Sequence, residues 1–329
     1  MDLTSFTNAS LLDFVQGEWQ CHGLFVSLIS FLAQAVWEQH VHYIFPLLAV
    51  LAWAGNTVIT KMSAASIEPT EIGFYRWLFA WLLLTPFVLR PTLRNWWRIR
   101  PHLLKIFIMG TLGMAMFQSL MYFAAQYTTA ANIGIIQALI PAMSLLLAIM
   151  VLKQRLTLAA VVGAVTAFIG VLLVVSNGEL LQLVQQGVNR GDGLMVLAVA
   201  AYALYSTLLK HWQLEISALQ MLYLQMLAAI IVQLPLFLLQ PKTGLNVDNL
   251  PLVLYACLAA SMIAPLAWLH GVRLMGPSRI AIFFNLMPIL SLFIAALTLG
   301  EAIEFYHWIG TGIIVLGVVL AERWKGKGA

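Results

Sequence analysis

Ala131 to Leu147 reads A-N-I-G-I-I-Q-A-L-I-P-A-M-S-L-L-L, and Ser278 to Ile294 reads S-R-I-A-I-F-F-N-L-M-P-I-L-S-L-F-I. Pro141 falls on Pro288 and Ser144 on Ser291. The match runs on without a gap, so Gly163 falls on Gly310 and Gly170 on Gly317. Upstream, W-A-G-N-T-V-I-T-K from Trp53 pairs with Y-A-L-Y-S-T-L-L-K from Tyr202, with Lys61 on Lys210. Self-similarity on this scale means that one structural unit is used twice. Both copies are apolar almost throughout, which makes the unit a set of hydrophobic helices.

The rest of the chain has the same character. It is 62% hydrophobic and 9% charged over 329 residues, with a mean hydropathy of +0.91. A soluble domain carries about 25% charged residues, so lipid must be the main solvent. A helix needs about 20 residues to cross the hydrocarbon layer. Apolar stretches of that length run over 43–62, 71–89, 104–124, 131–151 and 157–175, and again over 192–211, 217–239, 251–272, 278–299 and 306–322. These predict an all-α membrane protein of ten transmembrane helices. Residues 43–175 form the first five-helix repeat, 192–322 the second, 176–191 the connecting loop and 323–329 a basic tail. The segment 1–42 has an apolar part too short to span and no basic start for a signal, so it is expected to be a peripheral or poorly ordered extension.

Five spans per repeat is an odd number, so the two repeats enter the membrane with opposite orientation. Inverted repeats of this kind place a solute site near the midplane, between the halves. Lys and Arg set the orientation. Arg90, Arg94, Arg98, Arg100 and Lys105 follow or flank the second span, and Lys153, Arg155, Lys210, Arg273, Arg279 and the tail fall on the same side. Both ends of the ten-helix core are therefore expected in the cytoplasm. Trp96, Trp97, Trp212 and Trp324 sit at span ends, as interfacial anchors do. The basic residues lie between apolar spans and form no patch for nucleic acid.

The chain resembles the EamA-type transporters of the drug/metabolite transporter superfamily over residues 43–322. The resemblance is carried by the ten spans, the repeated Pro of spans 4 and 9, F-Y-R-W at Phe74 to Trp77, L-G-E at Leu299 to Glu301 and the Gly-rich last span of each half. It implies a bundle around a central cavity, with spans 5 and 10 at the rim. Gln154 departs from the pattern, because the family often carries a Glu there.

Side chains at membrane depth supply the candidate site. Arg76 is the deepest charge. It is read either as a snorkelling residue that holds a neighbour such as Glu71 or a lipid phosphate, or as a gate or partner for an anionic solute. Trp53 and Asn56 in span 1, Gln118 and Tyr122 in span 3, Gln137 in span 4, Tyr202, Tyr205 and Ser206 in span 6, Trp268 in span 8 and Asn285 in span 9 are the substrate-binding candidates. Each alone is more often glue between helices, and it is their gathering in spans 1, 3, 4, 6, 8 and 9 that points to a site. Pro141 and Pro288 free backbone carbonyls in the preceding turn and read as hinges. Gly163, Gly170, Gly310 and Gly317 recur two turns apart, which suits close helix packing. Cys21 and Cys257 are too far apart in sequence to suggest a metal motif, and His40 with His42 lacks a third ligand, so no metal or cofactor is expected.

The thirteen acidic residues lie in loops, at span ends or before the first span. That placement argues against a proton antiport centred on a midplane glutamate. The expected function is an inner-membrane secondary transporter of a small organic metabolite, in contact with membrane lipid. The resemblance implies export, and the aromatic, amide and hydroxyl candidates suit an amphipathic metabolite such as an amino acid, or a hydrophobic cation. Open alternatives are an importer or multidrug carrier of the same fold, a membrane-embedded enzyme and a non-transporting sensor. The enzyme would need clustered acid and base groups at depth, and the sensor an output domain.

Overall fold

The computed structural model describes residues 42–152, 158–179, 189–275 and 282–323. Nearly all of the expected N-terminal extension lies outside these residues, and His42, assigned to it above, opens the first helix. Lys153, Gln154, Arg155, Arg279 and Trp324 also lie outside them. Among the described residues the secondary structure is helical, with no strand.

Six helices are long and apolar enough to cross a membrane. They are α1 (His42–Ser63), α2 (Pro69–Arg94), α3 (Trp96–Ala124), α7 (Arg190–Trp212), α8 (Ala218–Leu239) and α9 (Leu250–Met275). At 1.5 Å per residue even the shortest, 22 residues long, reaches about 33 Å. The remaining apolar helices are shorter: α4 (Ala130–Gln137), α5 (Ile140–Leu152), α6 (Leu158–Val175), α10 (Met287–Leu299) and α11 (Phe305–Arg323). Of the ten expected spans, six reach spanning length as single helices, and the fourth and ninth are interrupted at the repeated prolines. The helix stops at Gln137 and restarts one residue before Pro141, and Pro288 sits in the first turn of α10 behind the tight turn Ile282–Leu286. A proline ring has no N–H to give and clashes with the carbonyl four residues back, so an unbroken helix is disfavoured at both points.

Two long helices are widened rather than broken. Thr111–Met116 in α3 and Tyr255–Ile263 in α9 are π-helical. In the register that puts Pro141 on Pro288, Thr111 falls on Leu258 and Met116 on Ile263. Both repeats therefore carry the wide turn at the same place. Turns of this type are rare and concentrate at functional sites.

The most extensive helix pairings all join one half to the other: α6 with α11, α2 with α8, α7 with α3 and α5, and α4 with α10. Gly170 backs onto Gly310, and Gly317 onto Gly163 and Ala167. A methyl group on Gly317 would lie 2.4 Å from the Ala167 nitrogen, so the backbones touch there. Phe87, Leu104 and Leu297 are 76%, 71% and 84% exposed. Outward faces this apolar suit hydrocarbon rather than water.

Candidate functional site

Arg76 lies seven residues into α2, about 10 Å from its start, and is 1% exposed. Its Nε and Nη2 groups donate to Ser261 Oγ at 3.0 and 2.7 Å. Its Nη1 group donates to Gln118 Oε1 at 2.7 Å and to the Tyr122 hydroxyl at 3.0 Å. The guanidinium also lies 4.8 Å from the Trp77 ring centre. Ser261 belongs to the π-turn of α9 and donates its own hydroxyl proton to the carbonyl of Ala256, five residues back, at 2.7 Å. Its lone pairs are left for Arg76. This cluster joins α2 and α3 of the first half to α9 of the second.

The reading of Arg76 as the partner of Glu71 is corrected. Glu71 is fully buried and accepts instead from the backbone N–H groups of Thr243, at 2.6 Å, and Gly244, at 3.1 Å. Two amides in the loop between α8 and α9 point at one carboxylate, and they satisfy it without a cation.

Two aromatic clusters flank the cluster around Arg76. Trp53 stacks on Phe284 with ring centres 5.5 Å apart and planes 5° apart, and Trp268 closes the group at 5.6 Å from Trp53 and 4.3 Å from Phe284. Trp53 Nε1 donates to the carbonyl of Ala260, the residue before Ser261, at 3.1 Å. In the second cluster Tyr202 lies 4.7 Å from Phe117 and 5.2 Å from Tyr205. Tyr205 donates to Gln225 Oε1 at 3.4 Å, and its ring covers Gly113, where a Cβ would come within 2.6 Å. Gln137 Nε2 donates to Met121 Sδ at 3.5 Å. The repeat relates these groups. Trp53 corresponds to Tyr202, and the Trp268–Phe284 pair to Met121 and Gln137.

The remaining candidates are less engaged. Asn56 is buried, and its Oδ1 has no hydrogen-bond partner among the described residues. The hydroxyl of Ser206 bonds the Tyr202 carbonyl of its own helix at 2.9 Å. Asn285 falls in the turn Ile282–Leu286, and its side chain lies outside the described set. Two surface grooves, one between α5 and α6 beside Met143 and Phe168 and the other beside Phe123, Tyr127 and Arg190, include none of the substrate-binding candidates. Ser261 and Phe284 were not picked out from the sequence, and Trp77 only as the last residue of F-Y-R-W. A lone serine in an apolar helix looks like packing until the arginine opposite it is known.

Two further carboxylates act as Glu71 does. Glu301 accepts from the N–H groups of Ala130 and Ala131, both at 2.9 Å, at the start of α4. Asp192 Oδ1 accepts from the Thr128 hydroxyl and, at 3.4 Å, from Asn132 Nδ2. Each bond crosses between the halves. Among the described residues no three His, Cys, Asp or Glu side chains are grouped to hold a metal ion.

Known proteins are similar to this chain over most of its length. The uncharacterized transporter YyaM of Bacillus subtilis is 25% identical over 293 residues, which is 86% of this chain and 94% of YyaM. Protein PecM of Dickeya dadantii is 23% identical over 84% of this chain and 91% of its own length. A protein of known crystal structure superposes over 86% of this chain and 96% of its own, with a TM-score of 0.58 and 16% identity, which supports the fold. The EamA-like transporter family matches twice, at residues 40–176 and 189–322, once for each half. With both repeats matched over most of its length, this chain belongs to the EamA-like transporter family.

Proposed function

We propose that this protein is a secondary transporter of the bacterial inner membrane that exports a small amphipathic organic solute by alternating access. The observation that supports this best is the convergence of both halves on one buried polar centre, where Arg76, Gln118 and Tyr122 of the first half meet Ser261 of the second. A centre between inverted repeats can be exposed to either side when the halves rock. Trp53, Trp268, Tyr202 and Tyr205 offer aromatic faces for an apolar body, and Asn56, Gln118, Tyr122, Gln137, Ser206 and Asn285 offer polar groups for orientation. Pro141 and Pro288 serve as hinges where α5 and α10 begin. The Gly170–Gly310 and Gly317–Gly163 contacts hold α6 and α11 together as a fixed rim.

The Arg-rich segment from Arg90 to Lys105 faces the cytoplasm in this reading, with both ends of the helical core on that side. Export is the direction that the resemblance implies. Comparative metabolite profiling, inside and outside cells with the gene deleted and overexpressed, tests the proposal. A carrier predicts a solute that accumulates inside the deletion strain and outside the overexpressing strain. Unchanged profiles in both strains count against it, and a mirror-image pattern identifies an importer.

A further inference from the structure

We infer that the Arg76 cluster recognises a carboxylate on the transported solute, which makes the substrate an amphipathic organic acid; this rests on the carrier reading above. A guanidinium group is a permanent cation at physiological pH. A buried charge is costly unless it is compensated. Every hydrogen-bond partner described for Arg76 is a neutral oxygen, from Ser261, Gln118 and Tyr122. The carboxylate nearest in sequence, Glu71, is fully engaged by two backbone amides. The positive charge therefore has hydrogen bonds but no described counter-charge.

The donor inventory points the same way. A guanidinium has five N–H groups. The described bonds use four of them, which leaves one on Nη2. The Trp77 ring lies against the guanidinium, and its buried Nε1 has no acceptor among the described residues. Spare donors around a fixed cation suit an anion with several lone pairs.

Ser261 gives the cluster a replaceable acceptor. Its proton is committed to the Ala256 carbonyl, so it faces Arg76 only with lone pairs, on the Nε and Nη2 edge. A carboxylate on that edge would make the two parallel bonds that guanidinium favours. It would also displace the only described link between Arg76 and the second half. Binding would in this way loosen α9 from α2, which couples recognition to movement of the halves. Trp53 is bonded to Ala260, next to Ser261, and carries the Phe284–Trp268 group with it. An apolar or aromatic body attached to the carboxylate has a surface to lie on.

Matched pairs of acid and amide test this on the full-length protein in nanodiscs. The probes are phenylacetate with phenylacetamide and hexanoate with hexanamide, and binding is read by calorimetry and by the shift in unfolding temperature. At least one acid should bind about tenfold more tightly than its amide, since a bond to a charged acceptor exceeds a neutral one by about 1.4 kcal/mol. Arg76→Lys should lose most of that preference and Arg76→Gln all of it. Because Arg76→Gln could misfold, the acid-to-amide ratio of the unaltered protein is the primary readout. If no acid outbinds its amide, or if folded Arg76→Gln keeps the preference, the carboxylate assignment is wrong. Amide or amine transport in proteoliposomes that ignores Arg76 would leave the carrier standing without this site, whereas unchanged metabolite profiles would remove the carrier itself.

Discussion

The two ends of the helical bundle are tied in different ways. At the end where α2, α4 and α7 begin, three carboxylates reach from one half into the other, each to at least two donors. Glu71 binds Thr243 and Gly244, Glu301 binds Ala130 and Ala131, and Asp192 binds Thr128 and Asn132. At the opposite end the described contacts between halves include Asn95 Nδ2 donating to Gln220 Oε1 at 3.3 Å and Lys105 lying 5.6 Å from the Trp212 ring. Short bonds from backbone amides to a charged acceptor are about twice as strong as neutral ones. One end is therefore clasped by charged acceptors and the other more lightly held, by neutral bonds that also include Thr85 with Tyr223 at 3.0 Å and the Thr207 hydroxyl donating to the Ser144 carbonyl at 3.2 Å. If the halves rock as proposed, the clasped end must release all three carboxylates before it opens. Acidic residues that look like ordinary span ends in the sequence would then set the conformational balance.

Glu71→Ala should have the largest effect. It removes a fully buried acceptor and leaves two backbone donors unmatched, a loss of about 3–5 kcal/mol. Unfolding of the purified protein should shift to markedly lower temperature. Cys257 offers an independent readout, since it is buried in the π-turn of α9 beside Ser261. In a Cys21→Ser background, Glu71→Ala should speed alkylation of Cys257. An unchanged alkylation rate in a folded variant would mean that Glu71 anchors a loop and does not clasp the halves.

Asp192→Ala should rank next, at about 2 kcal/mol. Asp192 is buried, and its loss strands the Thr128 hydroxyl and the Asn132 amide, whose Oδ1 already has no partner. Glu301→Gln should cost less, about 1 kcal/mol. The amide oxygen can still accept one of the two N–H groups of α4, and the group is partly exposed to solvent. It also gives up a charge placed favourably at a helix N-terminus. Both variants should raise the alkylation rate of Cys257, in that order. A reversed order would show that helix capping at α4 outweighs burial at Asp192.

The sequence carried the fold further than the site. Hydropathy located most of the apolar segments to within a few residues, because a membrane imposes length and polarity together, but α3 begins at Trp96 where 104 was expected and α10 at Met287 where 278 was expected. The match of Pro141 to Pro288 marked two points read as hinges, and the helices are interrupted at both, since a proline acts on its own helix whatever surrounds it. The π-turns in α3 and α9 were not legible. They answer to packing such as Tyr205 on Gly113, a contact far apart in sequence. Arg76 with Gln118 and Tyr122 could be singled out as polar groups at depth, yet their meeting point needed Ser261 from the other half. Glu71 was offered as one neighbour that Arg76 could hold, for a related reason. Proximity along one helix suggested an ion pair, and the amides that satisfy it lie beyond α8, where no sequence pattern marks them.

Asn95→Ala should have the smallest effect, and it tests the asymmetry of the two ends directly. The bond to Gln220 is 3.3 Å long, and Asn95 is exposed, so water replaces it readily. The expected change in stability is within about 0.5 kcal/mol, as for surface substitutions in general. Gln220 is buried, but its backbone N–H is already held by the Ser217 hydroxyl at the start of α8, so the helix end does not depend on Asn95. Cys257 should react at the same rate as in the parent protein. An increase comparable to that of Glu301→Gln would show that both ends share the load, and the distinction between a clasped end and a lightly held one would fail.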